Sequence, residues 1–170
     1  YLFYGQILKT HYQKWRDRME ENSNNFAPQI KNENYLENKI EVVIPVLELY
    51  ESVEDDLKKI GIRIRLDLYD GMDSCIRVNK NALKLCLINT LYYFIEKCEG
   101  LSVLEISLKY YERRIWIILK NAEKQNNVKR EKTIHNLEME VVRAYFKTKN
   151  IFLKEEKLPD KVEIGFETVN

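Results

Sequence analysis

The sequence predicts an α+β fold, a two-layer α/β sandwich with helices on one face of a mixed sheet, preceded by an N-terminal helix. Three observations carry this. "IRIRLDL" (62–68) alternates strictly, as a strand buried on one face does. "VLEISLKY" (103–110) and "RIWIIL" (114–119) are apolar runs joined by a tight connection at Tyr111–Arg113, which makes a hairpin. Between them lies a long stretch of helical period, residues 80–98. Hairpins separated by helices favour a sheet with its helices gathered on one side.

The remaining elements follow in order. Residues 1–22 have helical spacing, with Tyr4, Leu8, Tyr12, Trp15 and Met19 on one side. The Asn-rich "ENSNNFAPQIKNENYLEN" after them reads as a linker. The chain thus divides into 1–38, helix and linker, and 39–170, the α/β domain. "IEVVIPV" (40–46) is expected to be an edge strand, because Pro45 cannot donate to a ladder. A helix follows over 47–59, with Val46, Leu49, Tyr50, Val53 and Leu57 on one face and Gly61 as its stop. "YDGMDS" (69–74) is a turn. In the helix at 80–98, Leu83, Leu87, Leu91 and Phe94/Ile95 form one stripe. Residues 121–132 are a polar connection. The last helix is expected over 133–147, capped by Thr133, with Ile134, Leu137, Val141, Val142 and Tyr145 inward. "IFLKEE" and "KVEIGFETV" close the fold as a hairpin, with Val162, Ile164 and Phe166 on one face.

Composition excludes several function classes. With 28 basic and 27 acidic residues the net charge is +1, and the signs are interleaved. Such a chain has no field to gather nucleic acid or an anionic membrane. No run of about 18 apolar residues spans a bilayer. The chain begins at Tyr1, as a piece of something longer would, and a membrane anchor could precede it. Cys75, Cys86 and Cys98 are odd in number and show no zinc spacing, so they are expected to be small hydrophobes in a reducing cytosol.

From about residue 40 to 168, the wording and element order resemble the ATP-binding domain of sensor histidine kinases, a GHKL or Bergerat-fold domain. "VLELYESVEDDLKKIGIRIRLDL" is similar to the family's first long helix and the strand after it. "IRVNKNALKLCLINTLYYFIEKCEG" is similar to the N-box segment. "LEISLKYYERRIWIILKNAEK" is similar to the central hairpin leading into the G1 box. "TIHNLEMEVVRAYFKTKNIFLKEE" is similar to the G2 box, its helix and the start of the final hairpin.

The resemblance implies a nucleotide site whose residues have changed. Tyr93 stands where the family has its magnesium-holding Asn, and Phe94 where it has Ala. Asn89 matches the earlier Asn of the motif; Glu96 falls at the family's basic position, with Lys97 beside it. The adenine-contacting Asp corresponds to Lys120 or Asn121, followed by Ala122, Glu123 and Lys124 without glycine. Asn136 and Glu138 stand at the G2 glycines.

Physical chemistry turns these departures into an expectation. Magnesium takes oxygen ligands in octahedral array, which a Tyr ring does not supply. A phosphate cradle needs backbone N–H groups that glycine leaves bare. A carboxylate about 4 Å from a phosphate charge costs roughly 4 kcal/mol at an effective dielectric near 20. A micromolar ligand has only about 8 kcal/mol in all. The expected domain therefore binds no nucleotide, cofactor or metal and has no ATP-dependent kinase activity.

What the resemblance implies for function is a role in two-component or phosphorelay signalling through protein contacts. The implied partners are a response-regulator receiver domain or a histidine kinase, in the cytoplasm, with the N-terminal helix as a dimer seam. One alternative is a histidine phosphotransferase with His11 as phosphoacceptor. Lys9, Lys14 and Arg16 lie near it, but the acidic residue that follows the family's His is Tyr12 here. His135, before the last helix, is expected to be a loop or first-turn residue, with a catalytic role as the weaker alternative. Two further alternatives are an ATPase built on Asn89 and Lys97, and an unrelated interaction module.

Overall fold

A computed structural model describes residues 37–98, 100–123, 137–155 and 160–170, and Asp17 as a single helical position. The order is β1 (Asn38–Glu41), α1 (Val43–Lys59), β2 (Arg63–Asp67), a 3-10 turn (Tyr69–Gly71), β3 (Cys75–Val78) and α2 (Lys80–Lys97). Then come β4 (Val103–Tyr111), β5 (Arg114–Asn121), α3 (Leu137–Thr148), β6 (Phe152–Glu155) and β7 (Lys161–Glu167). The main sheet has five strands in the order β2-β4-β5-β7-β6. β2 runs parallel to β4, and the other pairs are antiparallel. A separate two-stranded sheet joins β1 to β3. The expected mixed sheet and closing hairpin are both present.

Alternation sorts the sheet into two faces. Leu104, Ile106 and Leu108 of β4, Ile115, Ile117 and Leu119 of β5, and Val162, Ile164 and Phe166 of β7 share one core with the helices. The opposite face carries Trp116, Ile118, Tyr111 and Glu163. There Trp116 stacks on Tyr111, ring centroids 5.0 Å apart, and donates from Nε1 to the Tyr111 carbonyl at 3.2 Å. Tyr111 Oη donates to Glu163 Oε1 at 2.6 Å. Burial of this phenol and its bond to Glu163 push its pKa up.

The helices lie side by side. α2 contacts α1 on one flank and α3 on the other, while α1 meets β2 and α3 meets β6. This explains a difference from the single stripe expected on α2. Asn89 through Ile95 are all buried, because a central helix is covered nearly all round. Asn79 starts α2, its Oδ1 accepting from the Ala82 N–H at 3.0 Å. At the end of α1, Gly61 has φ of +86°. The Ile62 N–H reaches the Leu57 carbonyl at 2.9 Å and the Gly61 N–H reaches Lys58 at 3.1 Å, a Schellman closure.

Two expectations at the start of the domain are corrected. The strand ends at Glu41, and α1 begins at Val43, ahead of residue 47. Pro45 is a buried residue of the first helical turn, not an edge-strand residue. N–H groups in that turn have no intrahelical acceptor, so a proline removes nothing there. Strand β3 was not anticipated from the sequence at all. Its four residues bury Ile76 and Val78, and its partner is β1.

The last helix is described from Leu137 onward. Thr133 and Ile134 lie outside the described residues. Met139, Val142, Tyr145 and Phe146 are buried, and Val141 is half-buried at the core margin rather than fully inward. Cys86 and Cys98 are buried as expected; Cys75 is half-buried. Burial pushes the Cys86 thiol pKa up, as expected of an inert core thiol.

Candidate functional site: the cleft of α2, α3 and the ends of β5 and β6

The C-terminal half of α2 supplies Asn89, Tyr93, Phe94, Glu96 and Lys97 of the residues singled out from sequence. Asn89 is buried, and its Nδ2 donates to the Leu85 carbonyl at 2.8 Å, one turn back. Thr90 makes the same kind of bond to Cys86 at 2.7 Å. Phe94 is 1% exposed and belongs to the core. Glu96 accepts from Tyr92 Oη at 2.7 Å.

Tyr93 is 4% exposed and has two cations near its ring. Lys97 Nζ lies 4.9 Å from its ring centroid, one helical turn on. Arg143 of α3 places its guanidinium carbon 5.4 Å from the same centroid, and Nη2 donates to Tyr93 Oη at 3.2 Å. Cations at such distances are attracted by the ring quadrupole. Arg143 also grips Glu155, the last residue of β6, with Nε to Oε2 and Nη2 to Oε1 both at 2.9 Å. This is the bidentate fork geometry. The fork holds the Glu155 carboxyl below the ordinary carboxylate range, against a smaller opposing effect of burial; Lys97 and the Tyr93 hydroxyl add to the lowering. Glu155 in turn raises the pKa of Arg143.

Asn121, at the end of β5, is 2% exposed. Its Nδ2 donates to Cys98 Sγ at 3.4 Å and its Oδ1 accepts from the Glu123 N–H at 3.2 Å. Its backbone N–H is bound by the Asp160 carbonyl at 2.9 Å. Ala122 and Glu123 follow, and Glu123 accepts from Ser102 Oγ at 2.6 Å. A cavity of about 310 Å³ lies beside them, lined by Arg63, Ile64, Arg65, Val103, Ala122 and Glu123. Glu138 is half-buried in the first turn of α3.

The structure therefore joins Tyr93 to Arg143 and Glu155, which the sequence did not single out. Asn136, Lys124, His11 and His135 lie outside the described residues. A usable signal for Arg143 was present. It stands four residues after the buried Met139, on the inward flank of α3, where a cation needs a partner.

The chain has the fold of the histidine-kinase ATP-binding domain, of the GHKL class. Among solved structures it is similar to the histidine kinase AdeS of Acinetobacter baumannii, with a TM-score of 0.62 and 14% identity over 98% of this chain and 96% of that one. The cytoplasmic segment of histidine kinase QseC matches with a TM-score of 0.64 and 10% identity, over 89% of this chain and 95% of that one. Histidine kinase ThkA, in its complex with response regulator protein TrrA, matches with a TM-score of 0.60 and 13% identity, over 93% of this chain and 49% of that one. At these identities the likeness is one of fold. No family model matches the sequence, and no curated protein matches it by sequence comparison. No helix among the described residues is long and apolar enough to cross a membrane.

Proposed function

We propose that this chain is a nucleotide-free, histidine-kinase-like domain of a two-component system or phosphorelay, acting through protein docking and dimerisation. The observation that carries the reading is the packing around Tyr93. A buried ring flanked by Lys97 and Arg143, with Glu155 gripping the arginine, fills the place the family resemblance gives to metal and phosphate. Asn121 adds to this. A carboxylate there would accept from an adenine amino group, whereas the amide is engaged by Cys98 and the Glu123 N–H. Isothermal calorimetry with ATP in magnesium buffer tests the reading; micromolar affinity overturns it.

The partner proposed is a response-regulator receiver domain. Its support is the likeness to ThkA, whose solved complex contains a response regulator. The aromatic run Tyr1, Phe3, Tyr4, Tyr12 and Trp15 in residues 1–38 is proposed as the dimer seam. A phosphotransferase reading through His11 rests on its basic neighbours Lys9, Lys14 and Arg16. Phosphotransfer from a phosphorylated receiver, lost in His11→Ala, would select it over docking alone.

A further inference from the structure

We propose that the open edge of the main sheet, strand β2, pairs with β2 of a second copy of this chain. The two strands run antiparallel about a two-fold axis at Arg65 and join the sheets into one. The proposal goes beyond the reading above and does not need the N-terminal helix as a dimer seam. β2 stands first in the strand order, with β4 on one side and no described strand on the other. A cavity of about 310 Å³ opens beside it, lined in part by Arg63, Ile64 and Arg65. Backbone groups of successive residues in a strand point alternately to its two sides. The Arg63 N–H donates to the Ser102 carbonyl at 2.9 Å, toward β4. Arg63, Arg65 and Asp67 therefore turn their backbone groups to β4, while Ile64 and Leu66 turn theirs to the open edge. No proline or bulge interrupts the strand, so this edge is a template for another strand.

The residues of β2 complement themselves about Arg65. Antiparallel pairing there sets Arg63 opposite Asp67 of the second copy, and Ile64 opposite Leu66 of the second copy, each twice by symmetry. Every outward backbone group of Ile64 and Leu66 then has a partner. Arg63 is exposed and has no ion-pair partner among the described residues. Asp67 accepts from Lys109 through Oδ2 at 2.7 Å, yet its side chain stays 45% exposed. On the helix side, Ile64 and Leu66 are half-buried, whereas their β4 partners Leu104 and Ile106 are fully buried. Apolar surface thus remains at the edge for a second copy to cover. Arg65 meets its own symmetry copy on the axis, but Glu105 of the same protomer already neutralises it. An axis at Ile64 would set Arg63 against Arg65, like charge on like. An axis at Leu66 would need the Leu68 carbonyl, which the Gly71 N–H occupies at 3.2 Å.

Disulfide cross-linking of the full chain tests this. Residues facing each other in a non-hydrogen-bonded antiparallel pair have Cα atoms about 4.5 Å apart, within disulfide reach. Arg65→Cys, oxidised with diamide at micromolar protein, is expected to give a disulfide dimer. Wild type, with only Cys75, Cys86 and Cys98, is expected to give none. Adding Arg63→Asp sets like charges across the axis and should cut the cross-link about tenfold. Adding Asp67→Arg instead should cut it as much. Mixing the two variants restores opposite charges and should restore the cross-link; failure to do so overturns the pairing. Arg65→Cys no more cross-linked than wild type also overturns it. So does a cross-link that Arg63→Asp leaves unchanged, because contact through the N-terminal helix alone gives that result. If Asp67→Arg loses its far-UV circular dichroism, Arg63→Lys replaces the mixture. It should keep the cross-link that Arg63→Asp loses, and loss in both overturns the charge pairing. None of these outcomes bears on ATP binding.

Discussion

Arg143 and Glu155 are twelve residues apart in sequence, on different elements, and meet through two hydrogen bonds of equal length, 2.9 Å. The pair ties α3 to the edge strand, and through Tyr93 it ties both to α2. Its stabilisation depends on pH in a definite direction. The Glu155 carboxyl is held below its unfolded value, so the contribution is complete above about pH 4.3, the ordinary Glu value. It is lost as pH falls below that value through the lowered folded pKa. Both side chains keep some solvent contact, 38% and 28%, so the pair is worth about 1–2 kcal/mol after screening. Urea unfolding of wild type and Glu155→Gln should differ by that amount at pH 7 and converge toward pH 3. A gap that persists at pH 3 would mean that packing, not charge, separates the two proteins.

Gly165 and Trp116 set a second prediction. They are register partners on β7 and β5, and a Cβ at Gly165 would sit 2.6 Å from the indole ring. Trp116 is 1% exposed, so the ring cannot swing out cheaply. Gly165→Ala is expected to destabilise by about 1–3 kcal/mol through overpacking. Indole fluorescence should shift with it, since the stack on Tyr111 must move. An unchanged Tm would show that the sheet yields at this point.

The turn between β4 and β5 predicts a gain. Glu112 and Arg113 both have positive φ, 51° and 60°, which is type I′ geometry built from unfavourable residues. Arg113→Gly relieves one of the two and should stabilise by about 0.5–1 kcal/mol. Denaturant midpoints decide this, and a lowered midpoint contradicts it.

Helix α2 offers a cap to remove. Asn79→Ala deletes the side-chain acceptor for the Ala82 N–H and should cost about 1 kcal/mol. Asn79→Asp keeps the acceptor and adds a charge that the helix dipole favours, so its stability should match or exceed that of wild type. A ranking with Asp below Ala would refute the capping role.

How much of this was readable in the residues differs by element. β2 was legible because its apolar residues recur at every second position, and β4 and β5 because they are apolar runs joined by a tight turn; β5 and β7 are buried on both faces. Gly61 was legible because a Schellman closure demands a left-handed residue. β3 was not, because two buried positions out of four give no period to detect. Pro45 misled because the same missing N–H suits a sheet edge and a first helical turn equally. At the cleft, Tyr93 was legible as a misplaced ring and Arg143 as a cation on the inward flank of α3, but their meeting was not. Arg143 lies fifty residues away and Glu155 further still, and no local pattern links them.

Tyr93 allows the sharpest separation between a single lost ligand and a rebuilt cleft. Tyr93→Phe removes only the hydroxyl that accepts from Arg143 and should cost about 1 kcal/mol or less. Tyr93→Asn restores the residue type that the resemblance implies for magnesium, but it also empties the volume of a ring that is 4% exposed. A cavity of that origin costs about 3–5 kcal/mol. If one substitution had silenced the cleft, Tyr93→Asn would regain ATP. It should not, because Glu155 still neutralises Arg143, and Asn121 still has Cys98 and the Glu123 N–H as partners. Calorimetry should therefore show no heat of binding for a protein whose Tm has fallen. Micromolar ATP affinity in Tyr93→Asn would place the whole loss at one side chain and reduce the Arg143–Glu155 pair to a bystander.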